Sequence, residues 1–122
     1  YQINASKKIV FHYLSTASGL EEWFADEVKI NEDKNYIFNF DREDHYARLA
    51  SQRSNSHVKF EFYDPKNPDE SDHAFIEFKL EENDLTQTLF LKVIDYSDGY
   101  DGEELISIWH GLIGRLKEII GG

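Results

Sequence analysis

Five histidines, at positions 12, 45, 57, 73 and 110, are the first side chains to test for chemistry, because imidazole binds metals and moves protons near neutral pH. Their spacing supports neither role. No two stand four apart and none has the carboxylate spacing of a zinc site, so the sequence predicts no metal and no cofactor. His12 and His110 fall in helical stretches near apolar positions, where a lone imidazole is usually a structural group, although each is within reach of a cavity rim. The run Asp95-Tyr-Ser-Asp98-Gly-Tyr-Asp101-Gly-Glu-Glu104 imitates a calcium loop. Setting Gly102 at the loop's obligatory glycine puts Ile108 where the bidentate glutamate belongs and Gly99 at another ligand position, so a turn followed by a helix cap is the better account. Cysteine is absent, and no G-x-S-x-G, phosphate-loop or dinucleotide pattern occurs. The chain is read as non-enzymatic, with no catalytic residue.

The remaining candidates are apolar and aromatic. Trp23, Phe24, Phe38, Phe40, Phe60, Phe62, Phe78, Leu91, Trp109, Ile113 and Leu116 are placed to line a space between a sheet and a helix, where they would bind a small hydrophobic or amphipathic ligand. Sealed and empty, a cavity of roughly 300 Å³ would cost about 7 kcal/mol, comparable to the net stability of a small domain. Such a space is therefore filled, either by side chains or by a ligand. Two Trp, seven Tyr and nine Phe supply ample volume for the first outcome.

The elements that hold these residues follow from periodicity. Ser6 is an N-cap for a helix over Lys7 to Ser15, with Val10, Phe11 and Leu14 at helical spacing. Ser18-Gly-Leu-Glu21 has the spacing of a capping box and opens a second helix presenting Leu20, Trp23 and Phe24. From Val28 the period becomes two, as in Val58-Lys-Phe60-Glu-Phe62 and Ile76-Glu-Phe78-Lys-Leu80, and Tyr36 to Phe40, Tyr46 to Ala50 and Thr86 to Ile94 complete an antiparallel meander. Asp64 to Asp72 holds both prolines and reads as a long exposed connection. A helix from Asp101 to Gly122 closes the chain, its apolar stripe formed by Leu105, Ile108, Trp109, Leu112, Ile113, Leu116, Ile119 and Ile120 as eight buried side chains. Gly111 and Gly114 inside it suggest close approach to the sheet or a bend. The fold class is α+β: a curved antiparallel sheet wrapped around a long C-terminal helix, with two short helices after the first strand.

At 122 residues the chain is one domain, residues 1–122. No apolar run approaches the roughly 20 residues of a membrane-spanning helix, so no membrane insertion is expected. Absence of cysteine points to the cytoplasm. Methionine is absent too, so residue 1 is not expected to be the translational start, and Asn4-Ala-Ser6 is treated as a chance match to a glycosylation acceptor. A net charge of −11 disfavours nucleic acid, whose binding needs clustered Lys and Arg. The partners that the sequence admits are a small apolar ligand and a basic protein meeting the acidic front helices and the Asp64 to Asp72 loop.

Ile3-Asn-Ala-Ser6, Val10-Phe11 and Gly19-Leu-Glu-Glu-Trp-Phe24 resemble the opening of the helix-grip superfamily of START-like, Bet v 1-like and Hsp90-ATPase-activator-homologue proteins. The end, with a last strand, Asp-rich turn residues and a Trp109-containing helix finishing Leu116-Lys-Glu-Ile-Ile120, is similar as well. The resemblance spans the chain and is nearest to single-domain START-like proteins of Bacteroidetes type. Lys7-Lys8 stands in place of the customary Pro-Glu, and Asn35 near a frequent glycine. The resemblance implies the helix-grip fold and, as functions within the superfamily, lipid carriage, polyketide cyclisation or chaperone assistance. It transfers no catalytic residue.

Overall fold

The computed structural model describes residues 1–67, 71–97 and 101–121, the side chains of 71–73 excepted. In chain order the elements are β1 (Gln2–Ile3), α1 (Lys7–Ser15), α2 (Ala17–Trp23), β2 (Glu27–Ile30), β3 (Tyr36–Phe40), β4 (Glu43–Arg53), β5 (His57–Tyr63), β6 (Ser71–Glu82), β7 (Leu89–Tyr96) and α3 (Gly102–Ile120). All seven strands form one antiparallel sheet in the order β1-β7-β6-β5-β4-β3-β2. Register shifts between Leu49 and Ser51 on β4 and between Glu61 and Tyr63 on β5 mark bulges, which add bend and twist where the sheet must wrap. None of the described helices is long and apolar enough to cross a membrane.

Alternation decides what each strand contributes. Phe38, Ala47, Val58, Phe60, Phe78 and Leu91 point to one face and are at most 1% exposed. The helices cover this face. Trp23, Leu14 and Leu20 from α1 and α2, and Ile113 and Leu116 from α3, complete the core. Tyr36 joins it from β3 and donates its hydroxyl to the Ser15 carbonyl at 2.7 Å, tying the sheet to the end of α1.

Burial raises the pKa of Tyr36 above 10.0. The native state therefore holds this proton more tightly than the unfolded chain does, so the contribution is full below the unfolded pKa and is lost as pH rises through the native one. Tyr36→Phe, which leaves the Ser15 carbonyl without its partner, should lower stability by about 1–2 kcal/mol at neutral pH and flatten the decline that sets in as pH rises past about 10. Urea midpoints of both proteins on either side of that pH are the check; parallel declines would show that another group titrates.

Ser6 caps α1, accepting from the Ile9 amide, and Asp101 caps α3, accepting from the Glu104 amide at 2.8 Å. The second helix differs from expectation, because its N-cap is Thr16 and not Ser18. Thr16 Oγ1 accepts from the Gly19 amide at 3.0 Å and donates to the His12 carbonyl at 2.8 Å, so this one residue ends α1 and begins α2. Glu21 instead reaches forward to accept from the Val28 amide.

Three strand limits also shift. Pairing with β5 carries β6 back to Ser71, so part of the stretch expected to be a loop is strand, while residues 68–70 lie outside the described residues. β4 runs from Glu43 to Arg53, well past the apolar segment, because its ladder with β5 pairs polar residues too. β7 starts only at Leu89, since Asn83 Oδ1 accepts from the Leu85 and Thr86 amides and Gln87 takes a left-handed φ of 56°.

The terminal helix departs most. Its stripe of eight narrows to three buried residues, Trp109, Ile113 and Leu116, while Leu105, Leu112 and Ile120 are half-buried and Ile108 and Ile119 remain 43% and 39% exposed. Ile108 is one residue from Trp109 and hence roughly 100° around the helix from it, beyond the line of contact. Gly111 and Gly114 face open space, with nothing within 4 Å of where a Cβ would sit, so neither marks a close approach. Gly121, with φ of 81°, is the left-handed stop.

Candidate functional site

Under the N-terminal half of α3 a pocket of about 650 Å³ opens to solvent. Being open, it carries none of the cost of a sealed void, and it is neither of the two outcomes that the volume argument allowed. Leu105, Ile108, Trp109 and Leu112 form its roof, Phe24 its inner end, and Phe40, Tyr46, Phe62, Tyr63, Ala74 and Ile76 its floor. This volume falls in the range of about 300–1,000 Å³ typical of small-molecule sites.

Of the eleven residues proposed as lining, Phe24, Phe40, Phe62 and Trp109 do line the pocket. The other seven do not. Trp23, Phe38, Phe60, Phe78, Leu91, Ile113 and Leu116 are solid core, none more than 2% exposed. Core and lining residues share the same strands and the same alternation; what separates Phe38 from Phe40 is distance along β3, and Phe40 lies beyond the cover of the core.

The aromatic wall is continuous with the core. Phe24 meets Phe40 edge-on at 5.3 Å and lies nearly parallel to Trp109 at 5.8 Å, with 20° between the planes. Such pairs fix ring orientation as well as burying area. Trp109 is held further by its indole N–H, which donates to Asp95 Oδ2 at 2.8 Å. Ser97 donates its hydroxyl to the other oxygen, Asp95 Oδ1, so both carboxylate oxygens already take a donor.

The polar lining includes Asp41, Asp95, Ser97 and His45, while Asp44, paired with Asn39, turns its carboxylate to the other face of the sheet. Asp95 continues the inward alternation of Leu89, Leu91 and Val93, one residue past the Ile94 limit that the sequence predicts for this strand. Asp41 and Asp44 stand on the β3–β4 hairpin, whose two turn residues, Asp41 and Arg42, both have left-handed backbone. Asn39 Nδ2 donates to Asp44 Oδ1 at 2.9 Å and the Asp41 amide donates to Asp26 Oδ2 at 3.1 Å. Among the described lining residues the one base is His45, packed on the Phe40 ring at 5.5 Å with its Nε2 3.9 Å from Glu43. Arg48 lies over the Tyr63 ring, 4.2 Å from its centroid, and is not itself a lining side chain.

His45 thus reaches the rim, whereas His12 and His110, read as structural groups within reach of it, do not. His12 borders a shallow surface depression on α1, and His110 packs edge-on against Tyr1. The side chain of His73, and residues 98–100 of the calcium-like run, lie outside the described residues.

A family model described as the START-like superfamily domain matches residues 1–122. Among solved structures, the solution structure of BfR322 from Bacteroides fragilis is 30% identical over 98% of this chain and 85% of that one, with a TM-score of 0.61. The Aha1 dimer from Colwellia psychrerythraea is 17% identical, covering 98% of this chain and 91% of that one at a TM-score of 0.73. Protein BH1534 from Bacillus halodurans is 19% identical, covering 98% and 92% at 0.68. The last two likenesses carry the fold alone. No curated protein matches the chain.

Proposed function

This chain belongs to the START-like superfamily, and from that premise we propose that it is a non-enzymatic binding domain that takes a small hydrophobic or amphipathic ligand into the pocket beneath the N-terminal half of its last helix. The observation that carries this reading is the open, aromatic-walled volume of about 650 Å³ bounded by Phe24, Phe40, Phe62 and Trp109. Apolar walls with a few polar groups gathered at the mouth suit a ligand whose body is buried and whose head stays wet. Binding is preferred to catalysis because Asp95 is already engaged by Trp109 and Ser97, and His45 stands beside Glu43. Net charge is the single support for a basic protein partner, so the pocket reading is preferred to that one as well.

Thermal-shift and native mass-spectrometry screens against lipids and aromatic metabolites should yield at least one ligand, which at a hundredfold excess over its Kd would add about 2.7 kcal/mol of stability. Ala74→Trp, a small-to-large change on the pocket floor, should abolish that shift while leaving the ligand-free melting temperature nearly unchanged. Binding that survives this substitution would place the ligand elsewhere.

A further inference from the structure

The face of the sheet turned away from the helices carries a second pattern, which the pocket does not use. Val58, Phe78 and Leu91 point to the core, so their neighbours along β5, β6 and β7 point outward, and Arg53, His57, Lys79 and Lys92 fall opposite one another in a single row across β4 to β7. Lys79 and Lys92 are a like-charged cross-strand pair, which weakens a sheet, in a chain whose 24 acids outnumber its 13 bases. Glu61, Glu77 and Glu81 share this face. Glu77 is recessed, its side chain 17% exposed against 42% for the Lys79 that it pairs with at 3.8 Å, so the lysine is the outer group of the two.

An independent sign comes from β7. Its outward positions are Phe90, Lys92, Ile94 and Tyr96, apolar at three of four where water should meet polar side chains, with Phe90 41% and Tyr96 58% exposed. Cations and exposed apolar groups thus adjoin. Phe75 is already taken up by Tyr96, stacked on it with 15° between the planes, and by Lys59, 4.4 Å from its centroid, which makes it a poor platform for a nucleobase. A membrane or a long nucleic acid would also extend past the patch and meet the carboxylates of a chain with net charge −11, whereas a short segment need not.

Independently of the pocket, we propose that this outer face of β4 to β7 is a docking surface for a partner protein, which meets it with a short segment of acidic and apolar side chains. The partner's carboxylates lie among Arg53, Lys79 and Lys92 and relieve the like-charged pair, while its apolar side chains cover Phe90, Ile94 and Tyr96. At physiological salt, charges more than about 8 Å away are largely screened, so the acids of the helical side do not prevent the contact.

The test is an NMR titration of the isotope-labelled protein with two twelve-residue peptides, one repeating Glu-Leu-Glu-Gly and the other Gln-Leu-Gln-Gly. In about 150 mM salt the acidic peptide should bind with a Kd below about 1 mM, roughly tenfold or more tighter than the neutral one, with amide shift changes centred on Lys79, Phe90, Lys92 and Tyr96. K79Q/K92Q should weaken it about fivefold or more while leaving the melting temperature equal or higher, since the like-charged pair is gone. F90T/Y96T, at two exposed positions, should weaken both peptides. K7Q/K8Q makes the same change of charge on α1 and should leave binding intact.

No binding of the acidic peptide, equal binding of the two, shift changes centred elsewhere, or an equal loss in the α1 control would each overturn the proposal. Co-sedimentation with phosphatidylserine vesicles in place of peptide binding would assign the face to a membrane, and a concentration-dependent dimer that K79Q/K92Q dissolves would assign it to a second copy; either result overturns the proposal. The pocket reading stands or falls by its own screen.

Discussion

Replacing Trp23 by alanine should cost this domain about 3–5 kcal/mol, most or all of the stability typical of its size. The indole is completely buried, its N–H donates to the Tyr13 carbonyl at 2.8 Å, and its ring meets Phe24, Phe78 and Trp109 with centroids 5.5, 5.8 and 6.4 Å away. Truncation removes the junction at which α1, α2, the sheet and α3 all meet. Neighbouring rings cannot collapse into the space without losing their own contacts. Trp23→Phe separates the two contributions, since it keeps most of the apolar area but orphans the Tyr13 carbonyl, for a smaller loss of about 1–3 kcal/mol. Urea unfolding followed by far-ultraviolet circular dichroism measures both. A loss below about 1 kcal/mol for the alanine variant would mean that the two halves of the core are stable without this junction.

The second large effect comes from the smallest side chain. Alanine at Gly19 would set its Cβ 2.3 Å from the His12 carbonyl oxygen and 2.7 Å from the Tyr13 Cα. Both are backbone atoms of the preceding helix, so no rotamer change relieves the overlap and α2 must move bodily away from α1. We expect destabilisation of about 1–3 kcal/mol or more, against a gain of at most about 1 kcal/mol from helix propensity. Gly114→Ala supplies the opposite sign in the same protein. That position is exposed and faces open space, so it should gain about 0.5–1 kcal/mol. Equal and stabilising changes at both positions would refute the close packing of α1 on α2.

Much of the architecture was legible because local rules and long-range packing agree. Alternation in Val58 to Phe62 and Ile76 to Leu80 identified strands and their inward residues, and Ser6 and Asp101 announced two helix starts by their side-chain chemistry. Competing local signals were harder to rank. Thr16 and Ser18 are both competent caps, and the choice was made by the corner between the helices, where Thr16 alone can serve both ends. The width of the α3 stripe was overread for a related reason. Apolar periodicity reports which side of a helix faces inward, but how far the sheet extends beneath each turn decides burial, and Ile108 and Leu105 lie over the pocket and not over core. His45 was invisible for want of a pattern. Its inward direction follows from pairing opposite Phe38, a fact of register that the polar run around it conceals.

The corner at Thr16 has a consequence for how the chain can vary. Most connections in a domain like this one can lengthen at little cost, and the turn holding Leu85, which is 95% exposed, is an obvious place for it. Between α1 and α2 there is no slack at all. One inserted residue would swing the second helix by roughly 100° about its own axis, rolling Leu20 and Trp23 out toward water and breaking the shared oxygen that joins the two segments. The pair behaves as a single bent rod, indifferent to growth elsewhere and intolerant of it at the elbow.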